Sequence, residues 1–152
     1  MSKHSDRAVE LFKQGFNCSQ AVFAAFADEY EMDGKTALKA SAGLGGGVGR
    51  LREVCGALSG AAMVAGMVYG ATDGSCQDQK AQTYKTVQQI ADEFKKQNGT
   101  IICREMLKGA AEEKPTYIPE QRTEEYYKKR PCLRIIESTV KIADKIIFGV
   151  EE

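Results

Sequence analysis

Val54-Cys-Gly-Ala-Leu-Ser-Gly-Ala-Ala-Met-Val-Ala-Gly-Met-Val-Tyr69 carries no charged side chain, and Arg50 and Arg52 stand just before it. A membrane span needs about 20 strongly apolar residues. This run is shorter and rich in Gly and Ala, so it reads as a buried central helix. Gly56 and Gly60 lie four apart, as do Gly66 and Gly70, which puts each pair on one side of a helix. Glycine inside a helix costs about 1 kcal/mol relative to alanine, so a packing reason is expected. The reason that fits is another helix approaching closely where no side chain keeps the backbones apart.

Working outward, Gly43-Leu-Gly-Gly-Gly-Val-Gly-Arg50 is too glycine-rich for regular structure. Before it, Ser5 is placed to cap a first helix with Val9, Leu11 and Phe12 on its apolar side. Asn17 is placed to cap a second, carrying Ala21, Val22, Ala25 and Phe26 at helical spacing. Asp33 and Gly34 separate it from a short third helix over 35–42. Downstream, Ser75 and Asp78 have the spacing of a capping box for a long helix that Gly99 stops. Thr100 is placed to cap a short helix ending at Lys108. Residues 110–130 form a long polar loop with Pro115, Pro119, Tyr117, Tyr126 and Tyr127, a candidate lid. Pro131 suits the first position of a last helix. Its apolar stripe, Ile135 to Ile147, faces the core or forms a homodimer seam. No strand alternation appears. The expectation is an all-α fold: a compact bundle of six or seven helices in one domain, 1–152, with the glycine-rich loop leading into the central Ala/Gly-rich helix.

Composition narrows the function. Hydrophobic residues make up 43% and charged residues 28%, the balance of an ordered globular chain. Twenty-one Lys and Arg against twenty-one Asp and Glu give no net charge, so there is no electrostatic footprint for nucleic acid. Neither nucleic acid nor a membrane is expected as a partner. Met1-Ser-Lys-His-Ser-Asp6 lacks the apolar region of a secretory signal, so a cytoplasmic setting is expected. Thiols there stay reduced, and five cysteines then point to metal binding or transient redox chemistry rather than permanent disulfides.

Every one of the five, Cys18, Cys55, Cys76, Cys103 and Cys132, falls at the start of an expected helix. Free N–H groups and the positive end of the helix dipole favour thiolate there, so lowered thiol pKa values are expected. There is no Cys-x-x-Cys, hence no thioredoxin-like motif or zinc ribbon, and no Cys-x-x-Cys-His, hence no covalent haem. The glycine run fits neither Gly-x-Gly-x-x-Gly nor a P-loop, so no nucleotide cofactor is expected. It is either a tight turn between packed helices or a backbone nest in which Gly45, Gly46, Gly47, Gly49 and Arg50 cradle an anion or a thiolate. His4 lies in a terminus expected to fray, which disfavours mixed Cys/His zinc. No acid–base or nucleophile–base constellation names a reaction.

Gly15-Phe-Asn-Cys18-Ser-Gln-Ala-Val22, the glycine run, Cys55-Gly-Ala-Leu-Ser-Gly60, Asn98-Gly-Thr-Ile-Ile-Cys103-Arg-Glu-Met-Leu107 and Cys132 stand in that order. Together they resemble the redox-active family named for its cysteine pattern, C_GCAxxG_C_C. The resemblance covers nearly the whole chain and implies that Cys18, Cys55, Cys103 and Cys132 act as a set, leaving Cys76 as an extra thiol. Three functions stay open. The first is thiol/disulfide or electron-transfer chemistry, making the chain a candidate oxidoreductase that works with an unidentified redox partner protein. Cys55 is then the preferred attacker, near Arg50 and Arg52, and Cys18 its partner. The second is an iron–sulfur cluster or another metal held by the same four cysteines. The third is a helical interaction domain with inert cysteines.

Overall fold

The computed structural model describes residues 2–110 and 116–150. Its α-helices are α1 (Lys3–Lys13), α2 (Cys18–Ala25), α3 (Gly34–Ser41), α4 (Gly56–Tyr69), α5 (Gln77–Asn98), α6 (Cys103–Leu107), α7 (Glu124–Lys129) and α8 (Cys132–Phe148). Short 3-10 turns follow α2, α3 and α6. Among the described residues there is no strand, only an isolated antiparallel bridge between Val54 and Ile102. The fold is an all-α bundle.

The apolar run forms α4, which packs against α2, α5 and α8. Ala57, Leu58, Ala61, Val64 and Ala65 are buried along it. The first glycine pair does what its spacing implied. A Cβ at Gly60 would come within 2.9 Å of the Ser19 carbonyl oxygen and 3.1 Å of Val22 on α2. The second pair does not: nothing lies within 4 Å of a Cβ at Gly66, and Gly70 is the residue beyond the helix end. Met67 and Val68, on that last turn, are exposed.

Several caps sit elsewhere than the spacing suggested, because the residue that caps is the one in extended geometry just before the first turn. Ser2, not Ser5, caps α1: its hydroxyl accepts from the Ser5 N–H at 3.1 Å, and Ser5 is buried. The Ser75 hydroxyl donates to Asp73 at 2.7 Å, which leaves Cys76 as the residue preceding α5. Thr100 accepts from the Ile102 N–H at 3.1 Å, and Ile102 precedes α6. Pro131 likewise precedes α8 rather than opening it. Asn17 caps α2 as expected, in a reciprocal pair with Gln20.

The N-terminus is not frayed at His4. That ring is only 4% exposed, stacks on Phe26 with centroids 4.2 Å apart, and sets Nδ1 2.7 Å from Asp144 Oδ1. Ser2 donates to the other oxygen of Asp144 at 2.6 Å. These contacts hold α1 to α8. The stripe on α8 faces the core, with Ile135, Ile136, Val140, Ile142 and Ala143 buried. The polar segment before α8 is not all loop. Thr123 caps α7 by accepting from Tyr126 N–H at 3.2 Å. Residues 111–115 of that segment lie outside the described residues. Among the described residues no helix is long and apolar enough to cross a membrane.

Candidate functional site

The site is assembled by two stretches of backbone that meet ahead of α4 and α6. The Cys55 N–H donates to the Ile101 carbonyl at 2.8 Å and the Cys103 N–H to the Glu53 carbonyl at 2.6 Å, either side of the Val54–Ile102 bridge. Alternation along each stretch then places Cys55 and Cys103 on one face as diagonal neighbours. From α2, the Cys18 sulfur rests on Gly56, where any Cβ would overlap it. Cys132, the first residue of α8, closes the group. Cys18, Cys55, Cys103 and Cys132 all line one cavity of about 60 Å³. That is room for a few water-sized atoms. Phe12, Met106, Leu107 and Ile135 supply apolar wall, and Arg52, Arg122 and Arg130 supply charge. Cys76 does not line it.

Residues 16–146 match the family described as "Putative redox-active protein (C_GCAxxG_C_C)". The chain belongs to that family. No curated protein and no solved structure matches it.

All five cysteines stand at helix starts, as expected: Cys18, Cys103 and Cys132 are first residues, while Cys55 and Cys76 immediately precede α4 and α5. The expected lowering of thiol pKa does not follow for the buried members. Burial pushes the Cys55 thiol well up, and the neighbouring Cys18 adds to this. The N–H groups of Ala57 and Leu58 pull it down by less. Burial also raises Cys103, against the opposing pull of the Arg52 guanidinium 3.9 Å from its sulfur. Cys132 is pushed up to about 12, first by burial and then by Cys18. At Cys55 the helix-start effect is present, but removing a thiolate from water costs more. Cys55, the expected attacker, is thus a thiol whose protonated form burial favours. The two arginines near it in sequence point elsewhere: Arg50 reaches the carbonyls of Thr116 and Ile118, and Arg52 reaches Cys103.

The glycine run of this family member is a left-handed coil. Gly46, Gly47, Val48, Gly49, Arg50 and Arg52 all have positive φ. Only glycine fits at 47, where a Cβ would come within 2.6 Å of the Glu53 nitrogen and 2.7 Å of the Arg52 Cα. The N–H groups of Gly49 and Arg50 are consumed by the carbonyls of Gly43 and Gly45, and those of Arg52 and Glu53 by Gly46 and Gly47. The nest expected from Gly45, Gly46, Gly47, Gly49 and Arg50 therefore has Gly49 and Arg50 turned inward. What the coil does is deliver the buried Arg52 and the 53–55 stretch to the cysteines. Of its glycines, Gly46 lines the cysteine cavity.

Arg122 and Tyr126 were not picked out as site residues from the sequence. Arg122 donates to the carbonyls of Phe12 and Phe16 at 3.0 and 2.9 Å, and its guanidinium lies over the rings of Phe12 and Tyr126 at 4.4 and 4.9 Å. It clamps the segment leading into α7 against the cavity, and the tyrosine cluster was its only trace in the sequence. For a metal, the four cysteines line one cavity, yet among the described residues no three Cys, His, Asp or Glu side chains converge as a ligand set. The arrangement as it stands does not fit a cluster.

Proposed function

We propose that this member of the family is a thiol–disulfide oxidoreductase in which Cys18 and Cys55 are the exchanging pair and Cys103 and Cys132 complete the set, the whole chain acting as one domain. The supporting observation is the single cavity lined by all four cysteines. Cys18 is the centre of the group. Its sulfur sits against the residue after Cys55, and its charge raises the pKa of Cys55, Cys103 and Cys132 alike. It is also less buried than Cys55. Cys18 therefore meets an incoming disulfide first, and Cys55 resolves it. In the reduced state the raised pKa values hold Cys55, Cys103 and Cys132 as thiols. Oxidation forms one S–S bond and releases two electrons and two protons.

The test is a thiol count across a series of redox buffers. The wild-type chain should lose two thiols in one two-electron step, and Cys18→Ser and Cys55→Ser should each lose none at that potential. Unchanged titration in either variant would rule out this pair.

A further inference from the structure

The cysteine cavity holds about 60 Å³, room for a few water-sized atoms. A disulfide carried on a peptide or protein does not fit that space, so exchange at Cys18 needs one wall to move. The walls differ in how they are held. Phe12, Ala57 and Ile135 belong to α1, α4 and α8 and are buried in the core. Arg122, Tyr126 and Arg130 come from one segment, which contains the six-residue α7, and no residue of α7 is buried. The same three side chains divide the cavity from an open cleft of about 410 Å³. The segment carries its own pairs. The Thr123 hydroxyl accepts from the Tyr126 N–H, Glu120 meets Arg130 at 3.0 Å, Glu125 meets Lys129 at 2.8 Å, and the Arg130 guanidinium lies 4.8 Å from the centre of the Tyr126 ring. Its ties to the body are of another kind. Arg122 donates to the carbonyls of Phe12 and Phe16 at 3.0 and 2.9 Å, and the Tyr127 hydroxyl meets those of Phe12 and Lys13 at 3.4 Å. Phe12 and Lys13 end α1, where helix carbonyls are short of partners and carry partial negative charge, so a guanidinium is favoured there. The rings of Tyr126 and Tyr127 rest half-buried on Phe12. A segment tied by side chains to carbonyls, with no buried residue of its own helix, opens at lower free energy than the core.

We infer that residues 122–130 form a lid over the four cysteines, latched by Arg122 onto the end of α1 and onto Phe16, and that Cys18 reacts from the open state. What the lid admits, a disulfide carried on a peptide or protein, rests on the thiol–disulfide reading above; the gating rests on the geometry of the segment. Closed, the lid keeps bulky reagents from the thiols. Open, it joins the cavity to the cleft and uncovers Cys18 and Cys132, the two less buried of the four. Arg122 is then a latch, spent on carbonyls in the closed state and released to water in the open one.

The experiment follows alkylation of the reduced full chain without oxygen, at fixed pH, by iodoacetamide and by the bulkier fluorescein-5-maleimide, with each cysteine read by peptide mass mapping. Cys76, which does not line the cavity, is the control within the same molecule. In the wild type, Cys18 and Cys132 should react more slowly than in the urea-unfolded chain, and the bulkier probe should lag more. Urea below the unfolding transition should raise both rates with a slope much shallower than that of global unfolding, the mark of a local opening. Arg122→Gln should raise the Cys18 and Cys132 rates by roughly tenfold, the order expected when hydrogen bonds from a charged donor are lost, with Cys76 unmoved. Arg122 also pulls the Cys132 thiol down, so losing its charge alone would slow alkylation there, and a rise reports access. Tyr127→Phe keeps the ring, loses one hydroxyl and should raise the rates less. A wild-type urea slope equal to that of global unfolding, or a Cys18 rate unchanged relative to Cys76 in both variants, would overturn the lid. Either result would leave the redox pair standing, since alkylation needs no disulfide.

Discussion

Replacing Gly56 with Ala tests whether the Cys18 sulfur is where the site requires it. The new Cβ would overlap Cys18 Sγ and come within 3.1 Å of the Leu44 carbonyl oxygen and 3.3 Å of Gly45 Cα. Overpacking of this kind costs about 1–3 kcal/mol. The helical preference of alanine over glycine returns up to about 1 kcal/mol, and less at a first turn. A net loss of about 1–2 kcal/mol follows from those two terms. For a chain of this length that lowers Tm by about 2–8 °C. The decisive comparison is the same substitution in a Cys18→Ala background. With the sulfur gone only the two backbone contacts remain, so Gly56→Ala should cost less there, by a coupling of about 1 kcal/mol. Urea unfolding of the four proteins of the cycle measures it. An equal cost in both backgrounds would refute the placement of Cys18 over Gly56, and with it the pairing of Cys18 and Cys55.

The raised thiols imply a stability that depends on pH. A thiol whose pKa is higher in the folded chain stabilises it fully below the unfolded value, about 8.5, and that contribution fades as pH climbs toward the value of about 12 at Cys132. Urea midpoints of the reduced chain should therefore fall as pH rises above that of a free thiol, and a flat profile would contradict the burial of these sulfurs. Arg52→Met removes the cation that lowers the Cys103 thiol most, leaving the smaller pull of Arg130, so alkylation of Cys103 at mildly alkaline pH should slow while that of Cys76 stays the same. Asp144→Asn takes the carboxylate from His4 and Ser2 and should cost about 1–3 kcal/mol in urea unfolding, with the thiol redox step unmoved.

Much of the fold was legible because the signals are local. The uncharged run at 54–69, the periodic apolar faces of α2 and α8, and glycine stops such as Gly99 each act within a few residues. The caps at Ser2, Cys76 and Ile102 were misplaced by one to three residues, since Ser5, Ser75 and Thr100 look equally good until the backbone chooses. His4 looked like a loose end because its partners, Phe26 and Asp144, are far along the chain. The cysteines were legible as helix starts, but their chemistry was not. Local reasoning weighs the helix N-terminus and cannot weigh burial, which the packing of α2, α4 and α8 decides. The bridge of 53–55 with 101–103 is too short to show an alternating pattern. Arg122 reaches the site only because the segment before α7 folds back on Phe12 and Phe16, a contact with no sequence period.

On the proposed function Cys18 and Cys55 form the exchanging pair within a four-cysteine site. Peptide mass mapping of the chain, purified without oxygen and then mildly oxidised, measures it directly. The expected product is a Cys18–Cys55 disulfide, with Cys76 still alkylatable. A disulfide that includes Cys76, or a brown protein that carries iron and sulfide on the four cysteines and forms no disulfide, would contradict it.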